Sequence, residues 1–273
     1  MGRHELTTAG RIGMDREAPI GIFDSGLGGL TVAAAVHALL PSEDILFYGD
    51  SAHAPYGIKS PEAVRERCFT IGDHLLDQGA KAIVIACNTA TSVCVDDLRK
   101  RYKVPVVGME PALKLACDRG GGRPQRIIVA ATPLTLKEDK FARLMARFQA
   151  DHTIMTQPCP DLVTIVESGR LDDPDAIRQA LDRYFGGYDL TQVDSIVLGC
   201  THFVFYRRNF ERYCPSSVAI VDGNEGTARH LRDLLEERGA LNQATSRGRV
   251  AIGNSDPSPR LESLSRQLFK RLS

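Results

Sequence analysis

Two cysteines close two similar apolar runs. Ile83-Val-Ile-Ala-Cys87-Asn88-Thr89 and Ile196-Val-Leu-Gly-Cys200-Thr201-His202 each join a short β-branched stretch to a thiol and then to hydrogen-bonding side chains. A run of that length and composition reads as a buried strand of a parallel sheet. Open α/β sheets hold their ligands at the carboxyl ends of such strands. One cysteine there would be ordinary, because free cysteine is among the most buried residue types. Two at equivalent points of similar units predict a cleft with a sulfur on each wall. Such a pair suits proton transfer, one thiol taking a proton from one face of a carbon and the other returning one to the opposite face.

Other motifs suggest rival chemistries. Asp24-Ser25-Gly26 matches the Asp-Ser-Gly of aspartic proteases, but that mechanism needs two carboxylates sharing a proton. The only near partner, Val221-Asp222-Gly223, lacks the hydroxyl residue, and the alternation of strands with helices is the wrong fold class. Gly26-Leu27-Gly28-Gly29 is neither GxGxxG nor a P-loop. It is read either as a cradle presenting N–H groups to a carboxylate or phosphate at a helix N-terminus, or as a turn that lets strand and helix pack closely. Cys200-Thr201-His202 has no CxxC or HxxxH beside it, so no metal is expected. His202 is placed to hydrogen-bond a substrate or to tune a thiol. Cys87 with a histidine base would also fit a cysteine amidohydrolase, which leaves Cys200 without a role. Cys68, Cys94, Cys117 and Cys214 sit in apolar patterns and read as structural; Cys159, before Pro160, lines a loop. No lysine lies in a Schiff-base setting, so no pyridoxal phosphate or other cofactor is indicated. A helix N-terminus is expected to draw a thiol down from its usual pKa of roughly 8.5 towards neutrality.

The elements that must position these groups alternate. A strand at Pro19–Phe23 leads through Asp24-Ser25 to a helix from Leu30 to Leu40, then a strand at Asp44–Tyr48 and a loop with Pro55-Tyr56-Gly57. Ser60-Pro61 opens a helix with Val64, Cys68, Ile71 and Leu75 on one face. The first cysteine strand follows, then a helix to about Arg101 and a strand at Val104–Val107. After a helix at Pro111–Cys117 and the break Arg119-Gly-Gly-Gly122, the pattern restarts. Ile127–Ala131 is a strand ending in Thr132-Pro-Leu-Thr135, where Asp24-Ser25 stood before. Asp24 to Cys87 spans 63 residues and Thr132 to Cys200 spans 68, which predicts an internal repeat of about a hundred residues. Helices at about 224–238 and 259–272 are expected to return to the first unit. The fold class is therefore α/β, with mainly parallel sheets.

The 273 residues suffice for two domains. Lys+Arg and Asp+Glu are both 34, so no net charge pulls the chain towards nucleic acid or an anionic membrane. No apolar run approaches the ~18 residues that span a bilayer. Residues 1–18 lack the apolar core of a secretory signal and are expected to be a disordered extension. An odd cysteine count, seven, irregularly spaced, argues for reduced thiols in a cytoplasmic protein.

Asp24-Ser25-Gly-x-Gly-Gly, Pro55-Tyr56-Gly57, Cys87-Asn88-Thr89-Ala and Leu-Gly-Cys200-Thr201-His202, in that order, closely resemble the cofactor-independent glutamate racemases of the aspartate/glutamate racemase superfamily. The similarity runs from about Pro19 to near the C-terminus. It implies two pseudo-symmetric three-layer α/β domains with the site between them. The first would be discontinuous, 19–110 plus 224–273, and the second 111–223. By this resemblance Cys87 and Cys200 are the proton donors and acceptors, the first acting on D-glutamate and the second on L-glutamate. Asp24 would assist Cys87; His202, with Glu167, would assist Cys200. Asp24, Ser25, Tyr56, Gly57, Asn88, Thr89, Thr132, Thr135, Thr201 and His202 would contact substrate. The reaction implied is interconversion of L- and D-glutamate for peptidoglycan, without cofactor, in a chain open to forming a homodimer. The alternatives are a racemase of aspartate or another amino acid, the amidohydrolase, and a non-catalytic amino-acid sensor.

Overall fold

The computed structural model describes residues 15–109 and 112–272. Strands β1 (Ile20–Asp24), β2 (Ile45–Gly49), β3 (Ala82–Ile85) and β4 (Val106–Gly108) form a parallel sheet in the order β4-β3-β1-β2. Strands β5 (Arg126–Ala131), β6 (Thr153–Pro158), β7 (Ser195–Leu198) and β8 (Ala219–Val221) form a second parallel sheet in the order β6-β5-β7-β8. Read from the other edge, the second order is the first one repeated. β1 corresponds to β5 and β3 to β7, so Asp24 and Thr132 end one equivalent pair while Cys87 and Cys200 follow the other. The spacing-based repeat is thus a repeat of topology. β1, β3 and β7 are buried along their whole length, as their unbroken apolar character requires of strands covered on both faces.

Helices supply that cover. α1 (Leu30–Leu39), α2 (Pro61–Asp77) and α3 (Asn88–Arg101) flank the first sheet; α4 (Leu113–Asp118), α5 (Pro133–Lys137), α6 (Asp139–Ala146), α7 (Pro160–Glu167), α8 (Pro174–Phe185) and α9 (Arg207–Tyr213) belong to the second half of the repeat. α2 starts as its sequence predicts, with the Ser60 hydroxyl accepting the Ala63 N–H at 3.3 Å and Pro61 in the first turn. Its Val64, Cys68, Ile71 and Leu75 are all buried. One apolar cluster covers the outer face of the first sheet, with Phe23, Ile83 and Ile85 against Val64, Leu75 and Leu98. Another sets Ile127, Val129 and Val197 of the second sheet against Leu113 and Phe141. A third is shared: Ile20, Ile22 and Val84 of the first sheet and Ile128 and Ile196 of the second all belong to it, with Leu30, Val36, Val166 and Phe203. At about 1.5–3 kcal/mol for each large side chain fully buried, this shared core strongly favours the two sheets staying together.

Two further helices, α10 (Asn224–Glu237) and α11 (Pro259–Lys270), pack on α1, returning to the first sheet as expected. Between them lies a strand that periodicity did not indicate. β9 (Val250–Asn254) pairs in parallel with β2, Ile45 opposite Val250 and Gly49 opposite Asn254, and makes the first sheet five-stranded. Other corrections are local. Residues after Cys200, where the sequence pattern indicates no element, form a 3-10 turn (Thr201–Tyr206) running into α9, and Thr132 caps a short helix, α5. The helix expected from Pro111 runs over Leu113–Asp118, Pro111 itself being outside the described residues. Most of the N-terminal extension, residues 1–14, is also outside them. Residues 15–18 are tied down instead: Arg16 Nε donates to the Gly239 carbonyl at 2.7 Å, and its own carbonyl accepts from Lys81 Nζ at 2.6 Å.

Candidate active site

β1 ends at Asp24 and β3 at the residues before Cys87, so neighbouring parallel strands deliver a carboxylate and a thiol to one edge. β5 and β7 deliver Thr132 and Cys200 from the other sheet in the same manner. The two edges face each other, and contacts cross between them. Thr201 Oγ1 lies 3.4 Å from both carboxylate oxygens of Asp24. Thr89 Oγ1 lies 2.9 Å from Thr132 Oγ1 and 3.0 Å from Thr135 Oγ1, and those two are 2.9 Å apart, a closed ring of three hydroxyls. Gly57 packs so closely on Thr132 that a Cβ there would come within 2.5 Å of the threonine side chain.

Glycine is equally needed at the turn after β1. A Cβ on Gly28 would approach His202 Nδ1 to 2.3 Å, and one on Gly26 would reach Glu167 Oε1 at 2.0 Å. The turn does gather anions at its N–H groups, but they are the protein's own. Leu27 N–H donates to Glu167 Oε1 at 2.6 Å, and Gly29 N–H to Asp24 Oδ2 at 2.9 Å. The expected cradle for an external carboxylate or phosphate is thus occupied, and the glycines serve close approach.

Around Cys200 an acid–base chain is assembled. Cys200 Sγ is 3.7 Å from His202 Nδ1, and His202 Nε2 is 2.6 Å from Glu167 Oε1. The short contact to a carboxylate places a proton on Nε2; the Gly28 N–H, 3.3 Å from the same nitrogen, then cannot donate to it. Burial disfavours the charged imidazole, yet the Cys200 sulfur and the Glu167 carboxylate outweigh it and raise the His202 pKa well above its usual value. Burial likewise opposes the Glu167 charge, but hydrogen bonds from His202, Leu27 and Ser51 hold its pKa below the ordinary carboxylate range.

The Cys87 side differs. Cys87 precedes α3 and its Sγ accepts the Ala90 N–H at 3.4 Å. The helix N-terminus and Ser25 favour the thiolate, as expected, but burial and the Asp24 charge dominate and push the thiol well up. The expectation of a thiol drawn towards neutrality is therefore overturned at this position. Asp24, fully buried, is itself raised by burial, against the pull of His202. Cys200 is near enough to act electrostatically on Cys87. Exposure is 5% at Cys87 and 7% at Cys200, so the site is nearly closed.

Two further residues singled out from the sequence, Tyr56 and Asn88, lie on the Cys87 side. Tyr56 is buried near Cys87, its hydroxyl donating at 2.6 Å to Asp50, which Arg67 also grips through Nε at 2.9 Å. Asn88 heads α3, and its Oδ1 is buried without a hydrogen-bond partner. Cys159, fully buried before α7, lies near enough to Cys200 to feel its charge. Sequence reasoning missed Ser51, whose hydroxyl donates to Glu167 Oε2 at 3.1 Å, and Asn254 behind it. Ser51 lies in the loop at the carboxyl end of β2, two residues past Gly49, a position the strand-end rule does single out. Among the described residues no cluster of His, Cys, Asp or Glu could hold a metal ion.

The ion pair carries a pH signature. Its His202 contribution to stability is complete below the unfolded value of 6.5 and is lost as pH rises through the raised folded value. Its Glu167 contribution is complete above 4.5 and is lost as pH falls through the lowered folded value. The loss in melting temperature caused by Glu167→Gln is therefore expected to be largest between pH 4.5 and 6.5. It should shrink on either side, which thermal unfolding at a series of pH values will check.

The Asp/Glu/Hydantoin racemase family profile matches residues 30–231. The chain belongs to this family. It is accordingly a racemase, an isomerase. The glutamate racemase of Bifidobacterium animalis subsp. lactis is 58% identical over 258 residues, covering 94% of this chain and 100% of that one. Among solved structures, Escherichia coli glutamate racemase in complex with L-glutamate and an activator superposes with a TM-score of 0.80 at 27% identity, over 94% of this chain and 96% of that one. Glutamate racemase from Francisella tularensis in complex with D-glutamate gives 0.79 at 26% identity, over 93% and 94%. The two α/β halves with parallel sheets belong to the fold of these racemases. No described helix is long and apolar enough to cross a membrane.

Proposed function

We propose that the protein interconverts L- and D-glutamate by two-base proton transfer between Cys87 and Cys200, without a cofactor. The observation that carries this is the pair of buried thiols at the ends of corresponding strands, each with its own ionisable partner, Asp24 for Cys87 and His202–Glu167 for Cys200. L- or D-glutamate bound in two family structures supports the choice of substrate. In this reading the first domain is 19–110 plus 224–273 and the second 111–223, each contributing one cysteine.

The asymmetry of the two sulfurs sets the resting state. Burial and the Asp24 charge hold the proton on Cys87, while Cys200 lies against His202 Nδ1. Cys200 then takes the α-proton of L-glutamate; the C–H electron pair is left on Cα and spreads into the α-carboxylate. Cys87 delivers its proton to the opposite face, giving D-glutamate and leaving the roles exchanged. With D-glutamate the sequence runs in reverse. The substrate ammonium offsets the Asp24 charge and meets the otherwise unpartnered Asn88 Oδ1. The three threonine hydroxyls turn protons towards a substrate carboxylate, stabilising charge by placed donors in a water-poor site. Near-complete burial protects the carbanion from solvent, and the cleft opens for exchange of substrate.

A panel of L and D enantiomers of glutamate, aspartate and other amino acids, followed by circular dichroism, tests the substrate. Glutamate is expected to be racemised at least about 10²-fold more efficiently than aspartate, whose side chain is one methylene shorter. Turnover of aspartate alone, or ammonia release in place of racemisation, would overturn the reading. Free cysteines at all seven positions suit a reducing cytoplasm, where the D-glutamate formed would feed peptidoglycan.

A further inference from the structure

The Glu167 carboxylate takes hydrogen bonds on both oxygens, and the mechanism above uses only one of them. Oε1 binds His202 and the Leu27 N–H; Oε2 accepts from the Ser51 hydroxyl at 3.1 Å. Ser51 in turn accepts from Asn254 Nδ2 at 3.0 Å. A hydroxyl that accepts from an amide and faces a carboxylate has one consistent arrangement, its proton on the carboxylate side. The Asn254 amide is itself oriented, because its Oδ1 accepts the Asp256 N–H at 2.9 Å and leaves Nδ2 for Ser51. Space for it exists because the residue opposite on β2 is Gly49, where a Cβ would come within 3.0 Å of Nδ2. The chain therefore runs from the end of β9, through the loop after β2, across the cleft to α7, and on through His202 to the Cys200 sulfur. Asn254 donates to Ser51 and Ser51 to Glu167, while His202 donates to the same carboxylate from the other side.

We infer that Ser51 and Asn254 are positioning residues for the Cys200 half of the reaction: they fix the Glu167 carboxylate against His202, and so set how readily Cys200 gives and takes its proton. This rests on the racemase reading above. Neither residue hydrogen-bonds to Cys87, Asp24 or the threonine ring, so their direct effect falls on the Cys200 half. A purely structural stitch between β9 and the β2 loop is the competing role, and it makes a different prediction. Loosening the fold would slow both half-reactions together, whereas a positioning role separates them.

The test uses the full chain carrying Ser51→Ala, Asn254→Ala or Ser51→Thr, the last of which keeps the hydroxyl. Turnover is measured with glutamate protiated or deuterated at Cα, from both enantiomers, with melting temperature as the check on folding. Ser51→Ala is expected to lower kcat/KM on the order of ten-fold, the size of one lost hydrogen bond to a charged group; Asn254→Ala should have the smaller effect. Slowing only the Cys200 step makes abstraction by Cys200 fully rate-limiting. The isotope effect on kcat/KM should therefore rise with L-glutamate as substrate and fall with D-glutamate, and Ser51→Thr should restore both towards wild type. Isotope effects that move together, or an unchanged kcat/KM in Ser51→Ala, overturn the inference. If the wild-type chain fails to racemise glutamate at all, the functional reading fails first, and the two failures are told apart by that control.

Discussion

Either Cys87→Ser or Cys200→Ser should reduce racemisation by about 10³-fold or more, while glutamate still binds. General acid–base groups contribute roughly 10²–10⁴-fold, and here each thiol serves as the acid in one direction and the base in the other. Serine keeps the shape but is a far weaker acid, and burial, which already pushes the Cys87 thiol up, would make its alkoxide inaccessible. Because the two sulfurs act on one intermediate, the double variant should be scarcely worse than either single one. Circular dichroism in both directions measures turnover, and calorimetry with glutamate measures binding. Wild-type turnover in one single variant would mean that the two cysteines do not share the reaction, and would favour a one-cysteine chemistry.

The second large effect is isotopic and needs no mutation. In deuterium oxide, nearly every molecule that changes configuration should carry deuterium at Cα, because its new proton comes from a thiol that had equilibrated with solvent. The substrate pool should remain protiated early in the reaction, since a molecule returned by the thiol that took its proton recovers the same one. Proton NMR of the Cα signal, taken early in the reaction after chiral separation of the L and D forms, distinguishes the two pools. Product that retains its original proton would exclude transfer between opposite faces. Labelled substrate appearing faster than labelled product would show instead that one thiol exchanges with water during each encounter.

What the sequence carried about this site was mostly local. The β3 and β7 runs announce themselves by unbroken β-branched apolar character, and the residues that follow them, Cys87-Asn88-Thr89 and Cys200-Thr201-His202, are contiguous with the signal. The equivalent placement of Asp24 and Thr132 was legible for the same reason, as the spacing of whole strand-helix units survives even when side chains diverge. Glu167 has no such local mark; it lies at the end of α7 with nothing beside it in sequence to tie it to His202, and only the motif resemblance named it. β9 was invisible because its burial alternates at a sheet edge, with Val250 and Ile252 half-buried beside exposed neighbours, and because its partner lies far along the chain. With the strand went Asn254. The raised Cys87 thiol is not legible in the sequence, because the effect of a helix N-terminus can be anticipated there while complete burial beside Asp24 cannot.

That late strand has a kinetic consequence. β9 joins β2 across some 205 residues of chain, and everything needed for the second sheet is strung between them. Closing so long a loop before its contacts form is entropically costly, and parallel pairing at such separation is intrinsically slow. A refolding chain will therefore assemble β5–β8 from nearer neighbours first and seat β9 last. Secondary structure and much of the core will then return ahead of any geometry that depends on Asn254.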